Sequence, residues 1–233
     1  MKNYNILIVD ENFEFTDLLT KYLKLERFKV VCEHDGQQAL KRAMNQSFDA
    51  IIMDLVLPNL TGFKVLKKLR EDNNKIPIII LTGRRDDIDA FISFDAGADD
   101  YLLKPCNPHE LIARLRAILQ RTQKIIPDRP ILEYQEIRID CAKRLVFLHN
   151  NPVDLTNTEF NILEMLIKSP GQAFSKEELT EYVLGRKFTA YDRSIDVHIS
   201  NLRNKLGSNA LGDDLVKTKR GFGYLFNISL KKK

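Results

Sequence analysis

The chain has 233 residues, 44% of them hydrophobic and 29% charged, with a formal net charge of +4. Such a composition fits soluble globular protein of one large or two ordinary domains, and a charge this small excludes nucleic-acid binding by bulk charge alone. With neither a membrane-length apolar run nor a signal-peptide core at its start, the chain is expected in the cytoplasm, with no membrane partner.

In chain order, Asn5 to Val9 is an apolar strand-like run ending on Asp10-Glu11. Phe15, Leu18, Leu19, Tyr22 and Leu23 then recur at helical spacing. Lys29 to Cys32 predicts a second strand and Gln37 to Asn45 a second helix. Ala50 to Met53 runs into Asp54, and Leu57-Pro58 and Thr61-Gly62 break the chain before a helix from Phe63 to Arg70. Ile76 to Leu81 runs into Thr82, and Asp100 to Leu103 into Lys104-Pro105. A last helix, Pro108 to Arg121, carries Leu111, Ile112, Leu115, Ile118 and Leu119 on one face. Short apolar runs alternating with amphipathic helices predict an α/β domain with a doubly wound parallel sheet over residues 1–121.

Residues 122–130, with Pro127 and Pro130, read as a linker. The second domain, residues 131–233, opens on β-like runs at Glu136 to Asp140 and Arg144 to Leu148, with a turn at Asn150-Asn151-Pro152. Thr156 with Glu159 and Ser175 with Glu178 match the capping box that starts a helix. A third helix runs from about Asp192 to Leu206, and a hairpin follows between Leu215 and Asn227. Three helices and a hairpin outline a winged helix, an α+β fold. The cysteines Cys32, Cys106 and Cys141 are odd in number and far apart, and the histidines show no ligand spacing, so neither a disulfide framework nor a zinc site is expected.

In an open α/β sheet the working crevice lies beyond the carboxyl ends of the strands. Asp10, Glu11, Asp54, Thr82 and Lys104 all fall there. Each alone reads as a cap or a turn residue; agreement at four strand ends points to a site. Three acids suit Mg²⁺, held by few carboxylates plus water. Lysine and threonine suit the oxygens of a phosphoryl group placed on Asp54.

On the third helix, Ile195, Ile199, Leu202 and Leu206 form an apolar face. Opposite lie Arg193, Ser194, Val197, Ser200, Asn201 and Asn204, flanked by His198, Arg203 and Lys205. Hydroxyls, amides and a valine methyl suit base edges in the major groove, and flanking cations suit phosphates. Lys217, Lys219 and Arg220 add positive charge on the hairpin.

Asp10-Glu11, Asp54 with Pro58 and Gly62, Thr82 and Lys104-Pro105 together resemble the flavodoxin-like receiver domain of two-component response regulators. Leu155 to Phe160, Asp192 to Ile199 and Arg220 to Tyr224 resemble the winged-helix DNA-binding domain of the OmpR/PhoB class, and Val183 to Lys187 with Asp192 to Arg203 is similar to its Cpx-type members. The resemblance implies a transcription factor, not an enzyme, phosphorylated by a sensor histidine kinase. Asp54 is then the phosphoacceptor, Thr82 and Tyr101 are switch residues, and Lys104 contacts the phosphoryl group. Glu11, Asp54 and the Val56 carbonyl hold Mg²⁺, and Asp10 acts through water. The class has Asp at the position of Glu11. The DNA-binding set becomes Arg193, Ser194, Val197, His198, Asn201 and Arg203 on the helix, with Thr218 and Arg220 on the hairpin. Phosphorylated chains would pair through the fourth helix, fifth strand and fifth helix, using Asp100 with Arg114, Asp99 with Arg121, and Glu110, whose usual basic partner is Ala90 here. Promoter direct repeats in double-stranded DNA and RNA polymerase are the remaining implied partners.

A phosphatase of the haloacid-dehalogenase type would share the Asp, Thr and Lys, but has a second acid two residues after its nucleophile, where this chain has Val56. An FMN binder is disfavoured by the repulsion of Asp10 and Glu11 for a phosphate after the first strand.

Overall fold

The computed structural model describes residues 3–83, 93–122, 130–134, 136–189, 192–207 and 214–227. They divide into two compact units, Met1–Leu119 and Gln120–Lys233. The first contains β1 (Asn5–Val9), α1 (Phe13–Leu25), β2 (Lys29–Glu33), α2 (Gly36–Asn45), β3 (Ala50–Asp54), α3 (Gly62–Glu71) and β4 (Ile78–Thr82). A helical turn at residues 93–95 (α4) leads to β5 (Asp100–Leu103) and α5 (Pro108–Thr122).

The five strands are parallel in the order β2-β1-β3-β4-β5. Their side chains alternate across the sheet with period two. Ile6, Ile8, Ile52, Ile79 and Leu81 pack with Leu19 and Leu23 of α1 and Leu111, Leu115 and Leu119 of α5. Leu7, Ile51, Met53 and Ile80, on the alternate positions, are equally buried. At about 1.5–3 kcal/mol for each buried Ile, Leu, Val or Met side chain, burial on both faces is what holds this sheet. The crossovers begin with caps: Asn12 accepts from Phe15 N, Asp35 from Gln37 N and Gln38 N, and Thr61 from Lys64 N.

In the second unit β6 (Ile131–Tyr134), β7 (Ile137–Asp140), β8 (Leu145–Leu148) and β9 (Asn151–Val153) form an antiparallel sheet in that order. The turn expected at Asn150-Asn151-Pro152 therefore ends early. Asn151–Val153 pairs with β8 as an edge strand, where Pro152 withholds no ladder donor that the sheet needs. Both expected capping boxes are present, at Thr156 for α6 (Asn157–Lys168) and at Ser175 for α7 (Lys176–Leu179). α7 continues as a π turn over Thr180–Leu184 and stops at Gly185, whose φ is +69°. α8 (Ser194–Leu206) lays Ile195, Ile199, Leu202 and Leu206 into a core with Phe160, Leu163 and Leu166. The hairpin β11 (Val216–Lys219) and β12 (Gly223–Phe226) completes a three-stranded sheet with β10 (Ala173–Phe174).

Candidate functional site

Strand order and register bring the expected pocket together. Asp10 follows the last β1–β3 pair, Val9 with Met53; Asp54 stands beside Leu81; and Thr82 stands beside Leu103, one residue before Lys104. Since β1, β3, β4 and β5 are consecutive in the sheet, the four side chains line one edge in that order. Asp10, Asp54 and Thr82 are buried, at 2%, 8% and 0% exposure. The Lys104 ammonium pairs with both Asp10 Oδ2 and Asp54 Oδ2, and lies 4.6 Å from the centre of the Phe15 ring. Burial works against its charge, but the hydrogen bonds and charges of the two carboxylates outweigh it and raise its pKa above the ordinary value. The Lys104–Pro105 peptide is cis.

The remaining carboxylate oxygens are used by the backbone: Asp10 Oδ1 accepts from Asn12 N and Asp54 Oδ1 from Val56 N, each at 3.0 Å. The chain turns closely behind Asp54, so that a Cβ on Gly62 would lie 2.0 Å from the Asp54 carbonyl oxygen. No real Cβ tolerates that distance, and glycine lets the loop close under the acid.

Glu11 stands apart from the other two acids of the expected cluster. It is exposed, and among the described residues no group of three or more His, Cys, Asp or Glu side chains is gathered to hold a metal. Lys104 lies between Asp10 and Asp54, paired with both, and Glu11 faces solvent. The donor set nevertheless suits Mg²⁺, which takes one or two carboxylates and fills its octahedron with water. Val56 is 45% exposed, and Tyr101 is half-buried with its ring 6.3 Å from that of Phe94.

The acids of the expected intersubunit pairs have partners within the chain. Asp99, 1% exposed, accepts from Arg70 Nη2 at 3.1 Å and from Ile78 N at 2.9 Å. Asp100 accepts from Arg114 Nη1 at 2.9 Å, and Glu110 pairs with the same arginine one helical turn away. Ala90 and the Arg121 side chain lie outside the described residues.

On α8 the exposed stripe is rotated from the expected one. Arg193, Ser200 and Asn204 face water, whereas Ser194, Val197, His198 and Asn201 are buried at 1%, 2%, 0% and 8% exposure. Ser194 is an anchor: its Oγ donates to Asp192 Oδ1 at 2.6 Å and accepts from Arg186 Nη2 at 3.0 Å. Arg186 also pairs with Asp192, and despite burial it holds that carboxyl below its usual pKa. Arg203 spends its donors on β11, with Nε to Val216 O and Nη2 to Thr218 Oγ1, both at 2.7 Å. Lys205 pairs with Glu159 at 2.7 Å. Thr218 and Arg220 are exposed as expected. Asp196 was missed: it accepts from Tyr224 OH at 2.5 Å and pairs with Lys176 at 2.7 Å. An acid at that position, amid the cations expected there, was its one sequence signal.

Comparison with known proteins bears on both units. Residues 6–116 match the response regulator receiver domain, and residues 150–226 match the domain described as transcriptional regulatory protein, C terminal. The chain is 40% identical over 226 residues to the transcriptional regulatory protein CpxR of Escherichia coli, covering 94% of this chain and 97% of that one. It is 39% identical over 222 residues to the CpxR homolog of Haemophilus influenzae, with the same coverage. Among solved structures, a mutant of RitR superposes with a TM-score of 0.77 at 26% identity, over 97% of this chain and 99% of that one. The response regulator DrrB, a Thermotoga maritima OmpR/PhoB homolog, gives 0.53 at 26% identity, over 97% and 100%. Among the described residues no helix is long and apolar enough to cross a membrane. With both halves matched in order, the chain belongs to the OmpR/PhoB-type two-component response regulators, a receiver domain joined to a DNA-binding transcription-regulatory domain.

Proposed function

We propose that phosphorylation of Asp54 by a sensor histidine kinase controls promoter binding by this chain in the cytoplasm. The observation that carries this reading is the Lys104 ammonium shared by two buried carboxylates at the end of the sheet. An Asp54 oxygen attacks the phosphorus of the phosphohistidine, the P–N bond breaks, and an acyl phosphate remains on Asp54 while the imidazole leaves with the electron pair. Lys104, charged throughout, transfers its contacts to the new oxygens, and Thr82 donates a hydroxyl to one of them. Glu11, Asp54 and the Val56 carbonyl would hold Mg²⁺, with Asp10 acting through water, and the ion would supply charge neutralisation for the phosphoryl group. Residues 1–121 act as the receiver, 122–130 as the linker and 131–233 as the effector.

Moving a two-state equilibrium from 1:99 to 99:1 takes about 5.5 kcal/mol, whereas one hydrogen bond to a charged group supplies only about 1.5–3 kcal/mol. Thr82, Lys104 and repacking around Tyr101 must therefore act together to promote a homodimer on direct repeats, where it would meet RNA polymerase. A second copy would meet the acids and bases at β5 and α5, namely Asp99, Asp100, Glu110, Arg114 and Arg121.

On the DNA side, Arg193, Ser200 and Asn204 of α8 face the groove, and Thr218 and Arg220 of the hairpin face the backbone and the adjacent minor groove. Ser194, Val197, His198 and Asn201 support that surface from beneath, and Arg203 braces it. The test is sedimentation and binding to a promoter-repeat duplex before and after treatment with a small-molecule phosphodonor and Mg²⁺. The native chain should dimerise and bind more tightly after treatment. Thr82→Ala should accept phosphate yet dimerise poorly; normal phospho-dependent dimerisation would remove the hydroxyl from the switch.

A further inference from the structure

Asp196 stands on the solvent side of α8, yet both its carboxylate oxygens are engaged by other elements. Oδ1 accepts from the Tyr224 hydroxyl of β12 at 2.5 Å, and Oδ2 accepts from the Lys176 ammonium at the start of α7 at 2.7 Å. Seven residues on, Arg203 binds Val216 O and Thr218 Oγ1 of β11, and its guanidinium lies 5.6 Å from the centre of the Tyr224 ring. Two turns of helix separate Asp196 from Arg203, about 10 Å along the axis. One attachment would fix only a distance; two on the same side also fix rotation about the helix axis.

The root of the hairpin is equally constrained. Tyr224 and Leu225 pair with Phe174 and Ala173 of β10, and a Cβ on Gly223 would lie 2.0 Å from the Phe174 carbonyl oxygen. Tyr224 is 7% exposed. Its phenol is raised above its ordinary pKa by burial and by Asp196, so the hydroxyl remains a donor at neutral pH. Beyond this root the tip carries Lys219, Arg220 and Phe222, all exposed.

We propose that Asp196 is a positioning residue for DNA recognition: by holding Tyr224 and Lys176 together it locks α8 to the hairpin, so that both meet DNA as one rigid reader. This rests on the reading that α8 and the hairpin are the DNA-binding surface. Without the lock, Arg220 would sample many positions relative to the helix, and its contact would be largely lost to the cost of ordering it.

The test is a double-mutant cycle on the full-length chain, with a duplex selected from random sequence by the native protein. Arg220→Ala should weaken binding about tenfold in the native background. In Tyr224→Phe, which keeps the ring and removes the hydroxyl, the same substitution should cost less than about twofold. Asp196→Ala should behave like Tyr224→Phe, and should any one of these variants fold poorly the other carries the cycle. Asp196→Asn retains an acceptor for the phenol and should restore most of the tenfold effect. Equal losses from Arg220→Ala in all backgrounds would overturn the coupling while leaving the DNA-binding surface intact. No loss from Arg220→Ala even in the native background would instead overturn the hairpin's part in DNA binding, and the coupling with it.

Discussion

Asp54→Asn should remain unlabelled by a small-molecule phosphodonor under conditions in which the native chain forms a hydroxylamine-labile acyl phosphate. The substitution is nearly isosteric. The amide oxygen can still accept from Val56 N, as Asp54 Oδ1 does at 3.0 Å, so the fold should survive. What disappears is the anionic oxygen that attacks phosphorus, together with one of the two charges that hold Lys104. A chelator should abolish labelling of the native chain, since Asp10 and Asp54 share a single ammonium and the incoming group adds about −1.5 to −2 charge. A labelled Asn variant, or labelling indifferent to the chelator, would overturn the assignment.

The same pocket makes a stability prediction. Lys104→Met leaves Asp10 and Asp54, both buried, facing each other without a cation. Breaking a buried pair in this way costs about 3–5 kcal/mol. The Lys104 side chain keeps 18% exposure, so a loss of roughly 3 kcal/mol, at the lower end, is expected from urea unfolding. Millimolar Mg²⁺ should recover part of it, because a ligand that binds only the folded state stabilises that state. A loss that Mg²⁺ does not reduce would show that the carboxylates cannot gather around a cation.

The pocket was legible in the sequence because its strands are buried on both faces. Asn5 to Val9, Ala50 to Met53 and Ile76 to Leu81 read as continuous apolar runs, and the residue ending each run lies at the carboxyl edge by construction. What the sequence could not show was where long side chains end up: Glu11 in water, Lys104 between two acids, Arg114 on Asp100 of its own chain. Helix α8 failed for a different reason. Periodicity identifies the most apolar stripe, and Ile195, Ile199, Leu202 and Leu206 are indeed in the core. It cannot count how many sides of a helix are covered. Ser194, Val197, His198 and Asn201 form a second buried stripe of small or polar residues, which resembles a solvent face in sequence. Asp192 and Arg186, two and eight residues before Ser194, supply the polar partners that make Ser194 acceptable inside.

Acidification from pH 7 to pH 5 should destabilise the winged-helix unit by about 2 kcal/mol through His198 alone. The imidazole is fully buried on α8, and its pKa is pushed down from 6.5 to about 3, first by burial, then by the nearby charges of Lys205 and Arg186, against a smaller opposing pull from Asp192. In the unfolded chain the ring takes up a proton below pH 6.5; in the folded chain it does not until about pH 3. The unfolded state therefore binds more protons throughout that window, and stability falls as pH falls, by about 1.4 kcal/mol per unit. Asp192 does not interfere, because its depressed pKa acts only below its ordinary value of 3.8. Comparing the native chain with His198→Gln cancels the pH effects common to both. Cys141 is fully buried in the second unit's core, so its pulse labelling in urea, with a disulfide reagent active at both pH values, reports unfolding of that unit. The native midpoint should drop on acidification by more than that of His198→Gln, the excess corresponding to about 2 kcal/mol. Equal drops in the two proteins would mean that the ring is charged, or hydrated, inside the fold.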